Sequence, residues 1–192
     1  MSRGIVFFNF GGGCVVRLLV ALHSLREWHS GPVTVMLAEG DEFCEKAACD
    51  IQRYADIQWF ALDSVVKRNV KSAIKPGLFQ QSPYDATLML DGDLIFCADP
   101  GTLLDTLTEE RPFGVTAFSG WHCDGPRMRK RVLRCADWLW PSDRPLILCE
   151  EPGKKHPAIN IGVIGWHKAG TGVMADWEWM TNNIAGQHIA DE

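Results

Sequence analysis

The chain has 192 residues, 46% of them hydrophobic and 22% charged, with a formal net charge of −5. That is enough for one domain with a sizeable core, and the acidic balance argues against a general nucleic-acid binder, which would be basic. Seven cysteines, an odd number without regular spacing and without Cys-x-x-Cys, exclude a disulfide framework and a structural zinc site. The thiols read as reduced, mostly buried core residues of a cytoplasmic protein. The opening MSRGIVFFNFGGG reads as a first strand rather than a signal peptide, and no window reaches the apolar length of a membrane span.

Gly4–Phe8 is an apolar strand, broken by Gly11-Gly12-Gly13. Val15–Trp28 has helical periodicity, with Val16, Leu19, Leu22 (or His23) and Arg26 one turn apart, and Gly31-Pro32 ends it before a second strand, Val33–Leu37. This strand–loop–helix–strand order is a βαβ unit and predicts parallel pairing. A helix over Glu42–Tyr54, a strand over Ile57–Leu62 and a helical region over Val65–Gln80, interrupted near Lys75-Pro76-Gly77, follow.

The most informative stretch comes next. Ala86–Leu90 is an apolar strand running straight into Asp91-Gly92-Asp93, and the run Leu94–Cys97 follows at once. Asp-Gly is also a frequent turn signal, but Leu88-Met89-Leu90 and Leu94-Ile95-Phe96 are continuous apolar runs of the kind found in buried strands. On extended backbone Asp91 and Asp93 point the same way, and Gly92 between them leaves one side open. Two carboxylates wedged between buried strands need a partner, and a hard divalent cation with open positions for phosphate oxygens is the economical one.

Asp99-Pro100 then opens a short helix over Gly101–Leu107, with Pro in the favoured first turn. Phe113–Phe118 is a strand, 119–157 is part helix and part long loop, Pro157–Ile164 is a buried strand and Thr171–Asn183 a Trp-rich helix. The fold class is therefore α/β, one domain over 1–192 with a mostly parallel central sheet.

The other candidate sites divide between structure and function. The loop after strand one resembles a dinucleotide fingerprint only weakly: Gly11 and Gly13 are present, but Val16 stands at the third glycine position, and Glu39 is the one candidate ribose acid. Asn160, inside a buried strand, either ties neighbouring backbone together or meets a ligand, and Gly162 permits close approach of a sugar or another backbone segment. His122 and the aromatic rings of Trp121, Trp138 and Trp140 could line an acceptor pocket, while His188 is a metal candidate only if the chain folds it back.

Taken in order, Lys71, Lys75, Ser82-Pro83-Tyr84-Asp85, the strand, Asp91-Gly92-Asp93 and Asp99-Pro100 resemble the GT-A fold glycosyltransferases, in particular glycosyltransferase family 8. Ile159-Asn160-Ile161-Gly162-Val163 resembles that group's Phe-Asn-Thr-Gly-Val strand, Trp177 the aromatic of the helix after it, and Asp191-Glu192 the start of its Asp-Gln/Glu-x-x-Leu segment. The resemblance implies transfer of a sugar, a hexose, from a nucleoside diphosphate donor, most often UDP, to an acceptor of unknown class, with Mn²⁺ (or Mg²⁺) held by Asp91 and Asp93. It further implies Lys71 near the donor, Asn160 near the sugar, Asn9, Gly11, Gly12 and Gly13 against the base and ribose, and Asp191 on the acceptor side. No residue is implied as nucleophile. The family's C-terminal metal His and its basic, aromatic tail have no counterpart here, which suggests a chain shortened at its C-terminus and a weak or incomplete transferase. The rival readings are a non-catalytic nucleotide- or partner-binding module of the same fold and a dinucleotide-dependent enzyme.

Overall fold

The computed structural model describes residues 1–61, 75–122 and 157–177, with backbone alone at 115–122 and 157–161. Six strands, β1 (Arg3–Asn9), β2 (Val33–Ala38), β3 (Asp56–Phe60), β4 (Ala86–Leu90), β5 (Phe113–His122) and β6 (Pro157–His167), form one sheet in the order β3-β2-β1-β4-β6-β5. The first four are mutually parallel, whereas β6 runs antiparallel to both β4 and β5. Helix α1 (Val15–Arg26) links β1 to β2, α2 (Glu42–Ile51) links β2 to β3, α3 (Lys75–Gln80) precedes β4, and α4 (171–177) follows β6. The predicted α/β class, the parallel βαβ start and the strand Ala86–Leu90 are all present.

The strands are apolar almost throughout because both faces are covered, so alternation sorts residues between two cores rather than between core and water. Ile5, Phe7, Val33, Val35, Leu37, Leu88 and Leu90 pack with Leu18, Leu22 and Leu25 of α1 and Ile51 of α2. Val6, Met36, Phe60 and Met89 face the other way, onto Phe79 of α3, Trp166 of β6 and Met174 of α4.

Three expectations need correction. The core face of α1 is Leu18, Ala21, Leu22 and Leu25, while Val16 is 71% exposed. Of the expected stripe only Leu22 is buried, and the face that packs with Ile5, Phe7, Leu88 and Leu90 of the sheet is the one carrying Leu18 and Leu25. Leu94–Cys97 is not a strand. β4 is already flanked by β1 and β6, so the sheet has no place for another strand there, and the segment instead crosses α1. The Phe96 amide donates to Ser24 Oγ and its ring meets Phe7 edge-on, leaving Ile95 73% exposed. The short helix expected after Asp99-Pro100 is present as a 3₁₀ helix, Pro100–Thr106, with Asp99 accepting from the Gly101 amide as its cap. Among the described cysteines only Cys44 is buried; Cys49 and Cys97 are exposed. The helix expected over Val65–Gln80 is described from Lys75 on. Most of the irregular region 119–157, and the end of the Thr171–Asn183 helix, lie outside the described residues.

Two contacts hold β1 in register with the turn before β4. Gly4 lies under the Tyr84 ring so closely that a Cβ there would stand 2.3 Å from ring carbons, and the Tyr84 hydroxyl meets Thr34 Oγ1 at 2.8 Å. The Ser2 amide donates to Asp85 Oδ2 at 2.7 Å, and the Asp85 amide returns a bond to Ser2 Oγ at 3.0 Å. Bonds from the Ser2 amide and hydroxyl hold the Asp85 carboxyl below its usual range, helped by Lys168.

Gly4→Ala should therefore overpack the site and cost about 1–3 kcal/mol, read as a lower urea midpoint with unchanged slope. A depressed carboxyl stabilises the fold above its unfolded value and loses that contribution as pH falls through the folded value. The stability gap between wild type and Asp85→Asn should accordingly narrow between neutral pH and about pH 3. A gap that stays constant with pH would remove Asp85 from the acid limb.

Candidate functional site

The chain order β1, β2, β3 runs outward on one side of β1, and β4 returns to its other side. This reversal puts a topological switch point between β1 and β4, and in open α/β sheets ligands bind in the crevice outside the carboxyl ends of the strands there. Because β1 and β4 are parallel, the loop after Asn9 and the turn after Leu90 open on that same edge. Strand β6, antiparallel to β4, delivers the residues before Val163 to it as well. The Asp91 amide donates to the Gly162 carbonyl at 2.8 Å, fixing Asp91 at the rim.

Residues 92 and 93 form a turn, so the extended arrangement of the two carboxylates is not what forms. Each acid has a separate cation. Lys75 Nζ lies 2.8 Å from Asp91 Oδ1 and 5.5 Å from the centre of the Phe8 ring, and its side chain is only 5% exposed. A buried ammonium needs such a partner, and the aromatic face adds to it. Asp93 is 58% exposed and has Arg17 Nη1 at 4.0 Å, a pair that water largely screens. Lys75 thus neutralises one carboxylate and solvent carries most of the charge of the other, so each acid has a partner within the chain. Gly92 passes close to Leu18, where a Cβ would stand 3.4 Å from the Leu18 Cβ.

The loop after β1 is built against the first turn of α2. Asp41 caps that helix through Oδ1, accepting from the Phe43 and Cys44 amides at 3.0 and 3.2 Å, while its Oδ2 accepts from the Gly11 amide. Burial draws the Asp41 carboxyl upward, but the Gly11, Cys44 and Phe43 amides outweigh it and hold the group below its usual range. Buried Asn9 places Nδ2 3.4 Å from Cys44 Sγ, and burial in turn pushes the Cys44 thiol up. Gly12 lies against the Phe43 ring, and Gly11 takes φ +77, a conformation that favours glycine.

Of the residues expected at the site, Asn9, Gly11, Gly12, Asp91, Gly92, Asp93 and Gly162 do gather at this edge. Asn160 lies on β6 opposite Thr116, described as backbone only. Lys71 and Asp191 lie outside the described residues, as does His188. The lysine that reaches Asp91 is Lys75, which the sequence pattern did not separate from Lys71; its place at the start of the helix, just before Pro76-Gly77, was the available sign. Asp41 carries a sign of its own, since an Asp directly before a helix is a standard cap signal. Arg17, one position into the α1 pattern, carried no signal. Among the described residues no group of three His, Cys, Asp or Glu side chains is placed to hold a metal, and no helix is long and apolar enough to cross a membrane.

No protein-family model and no curated protein matches the chain. Solved structures do. The glycosyltransferase GlyE of Streptococcus pneumoniae TIGR4 superposes over 100% of the chain with a TM-score of 0.56 at 16% identity, and its apo form does so with a TM-score of 0.58 at 15% identity. The galactosyltransferase LgtC, solved with donor and acceptor sugar analogs, matches over 94% with a TM-score of 0.53 at 15% identity. The chain spans 41% of that GlyE chain and 64% of LgtC, so it corresponds to part of each. The sheet order, the switch point and these likenesses agree: the chain has the GT-A glycosyltransferase fold.

Proposed function

We propose that this chain is the nucleotide-binding part of a glycosyltransferase that takes a hexose from a nucleoside diphosphate, UDP in the first instance, as family 8 enzymes do. The observation that carries the reading is the position of Asp91-Gly92-Asp93 at the carboxyl end of β4, beside the switch point of a GT-A fold. The solved LgtC complex contains donor and acceptor sugar analogs, which supports a donor site of this kind here.

In this reading Asn9, Gly11 and Gly12 receive the nucleoside, and Asn160 and Gly162 the sugar. Lys71 stands by the donor and Asp191 on the acceptor side. Asp93, exposed and only loosely paired, and the Asp91 oxygen that Lys75 does not hold are the protein's ligands for Mn²⁺ or Mg²⁺. Two carboxylates fill only part of a coordination shell, leaving positions for phosphate oxygens. When bound, the cation offsets negative charge on the leaving diphosphate. Lys75 keeps Asp91 from swinging and contributes positive charge at the same rim.

A second reading, a nucleotide-binding module without metal, is favoured by one observation: Asp91 already has its counter-ion in Lys75.

Thermal unfolding separates the two readings. UDP with Mn²⁺, at about a hundred times the dissociation constant, should add roughly 2.7 kcal/mol, which is a rise in Tm of roughly 5–10 °C for a chain of this size. Asp93→Ala should abolish the Mn²⁺-dependent part of that rise. UDP stabilisation indifferent to Mn²⁺ would select the module, and the absence of a shift with any nucleoside diphosphate would remove the transferase reading. Because Lys75 competes for Asp91, Lys75→Met should tighten Mn²⁺ binding about tenfold, equivalent to about 1.4 kcal/mol, by titration calorimetry. Weaker binding would show instead that Lys75 helps to build the site.

A further inference from the structure

We infer that Asp41, together with the first turn of α2, is the positioning element that moulds the loop after β1 into its nucleoside-receiving shape; this rests on the nucleotide reading above. Three residues of that turn, Asp41, Phe43 and Cys44, each hold one residue of the loop. Asp41 takes the Gly11 amide, Phe43 covers Gly12, and Cys44 lies against Asn9 through both the Asn9 side-chain amide and its carbonyl, the latter at 3.5 Å. The turn is itself anchored, since Cys44, Ala47 and Ile51 of α2 are buried in the core.

The two faces of the loop differ in a way that suits this role. Toward α2 it is filled, so that a Cβ at Gly12 would stand 2.7 Å from the Phe43 ring. Elsewhere it is open: a Cβ at Gly11 or Gly13 would meet nothing within 4 Å. The positive φ at Gly11 is one of many conformations open to a glycine, and a run of three glycines is costly to order. The bond to Asp41 selects that conformation before any ligand arrives. Such preorganisation raises affinity by removing an ordering cost that binding would otherwise bear.

The same bond constrains the ligand. With the Gly11 amide directed into a carboxylate, the loop cannot offer that amide to a phosphate, and an ionised Asp41 behind it disfavours an anion. The uncharged nucleoside belongs at the loop and the diphosphate toward Asp91 and Asp93. This arrangement also counts against the dinucleotide reading, in which the glycine loop would cradle the phosphates.

The test separates capping from moulding, since Asn and Ser are both good helix caps but neither reproduces the second carboxylate oxygen. In Asp41→Asn the amide nitrogen would face the Gly11 N–H, donor against donor. In Asp41→Ser the single oxygen serves the cap alone. The intact chain and both variants would be titrated with UDP and with uridine in Mn²⁺, alongside urea unfolding and hydrogen exchange at the Gly11 amide. The expected result is faster Gly11 exchange and about tenfold weaker binding of both ligands, with both variants still unfolding cooperatively in urea at modestly lower midpoints. Both variants binding UDP as the wild type does, while the wild type binds well, would overturn the role of Asp41 and leave the nucleotide reading intact. A wild type that binds neither UDP nor uridine would overturn the nucleotide reading itself, and with it this role.

Discussion

The parallel pairing of β1 with β4 is the constraint on which the rest depends. It is set by Ile5 opposite Leu88 and Val6 opposite Met89, and these residues are buried on both faces of the sheet. A register slip of one residue would exchange the two cores, placing Ile5 and Phe7 where Val6 now sits. Since the two strands are not consecutive, their pairing also creates the switch point. The glycine loop after β1 and the acidic turn after β4 belong to distant parts of the chain, and only this pairing makes them two walls of one crevice.

The electrostatics of that crevice are arranged unevenly. Asp91 is tied to a lysine that is almost wholly buried and lies over Phe8, whereas Asp93 stands in water with a distant arginine. One acid is thus structural as well as available, and the other is available only. A cation entering the site must share Asp91 with Lys75, and it meets little competition at Asp93. This division sets which charges the two carboxylates meet at the end of a buried strand, and their sequence context alone does not reveal it.

The loop after β1 shows the complementary device. It carries three glycines, and left to itself such a segment would sample many shapes. Here it is held from outside by Asp41, Phe43 and Cys44, which leaves its other face open. Close approach of backbone and ring recurs at Gly4 beneath Tyr84, where glycine serves packing rather than a ligand. Glycine alone therefore says little about function, and the neighbours decide which use is being made of it.

What the sequence determined by itself was local and periodic. Continuous apolar runs separated by a helical pattern specify buried parallel strands, and the abrupt change from Leu90 to Asp91 marks a strand end carrying acids. Those features follow from burial and backbone geometry acting over a few residues. The tertiary structure decided what depends on distant partners. It chose Lys75 as the counter-ion of Asp91, gave Leu94–Cys97 to α1 because β4 had no free edge, and shifted the core face of α1 to Leu18 and Leu25. It also joined Gly11 to Asp41. In each case the pattern admits several solutions of similar local energy, and the packing of the whole sheet selects one.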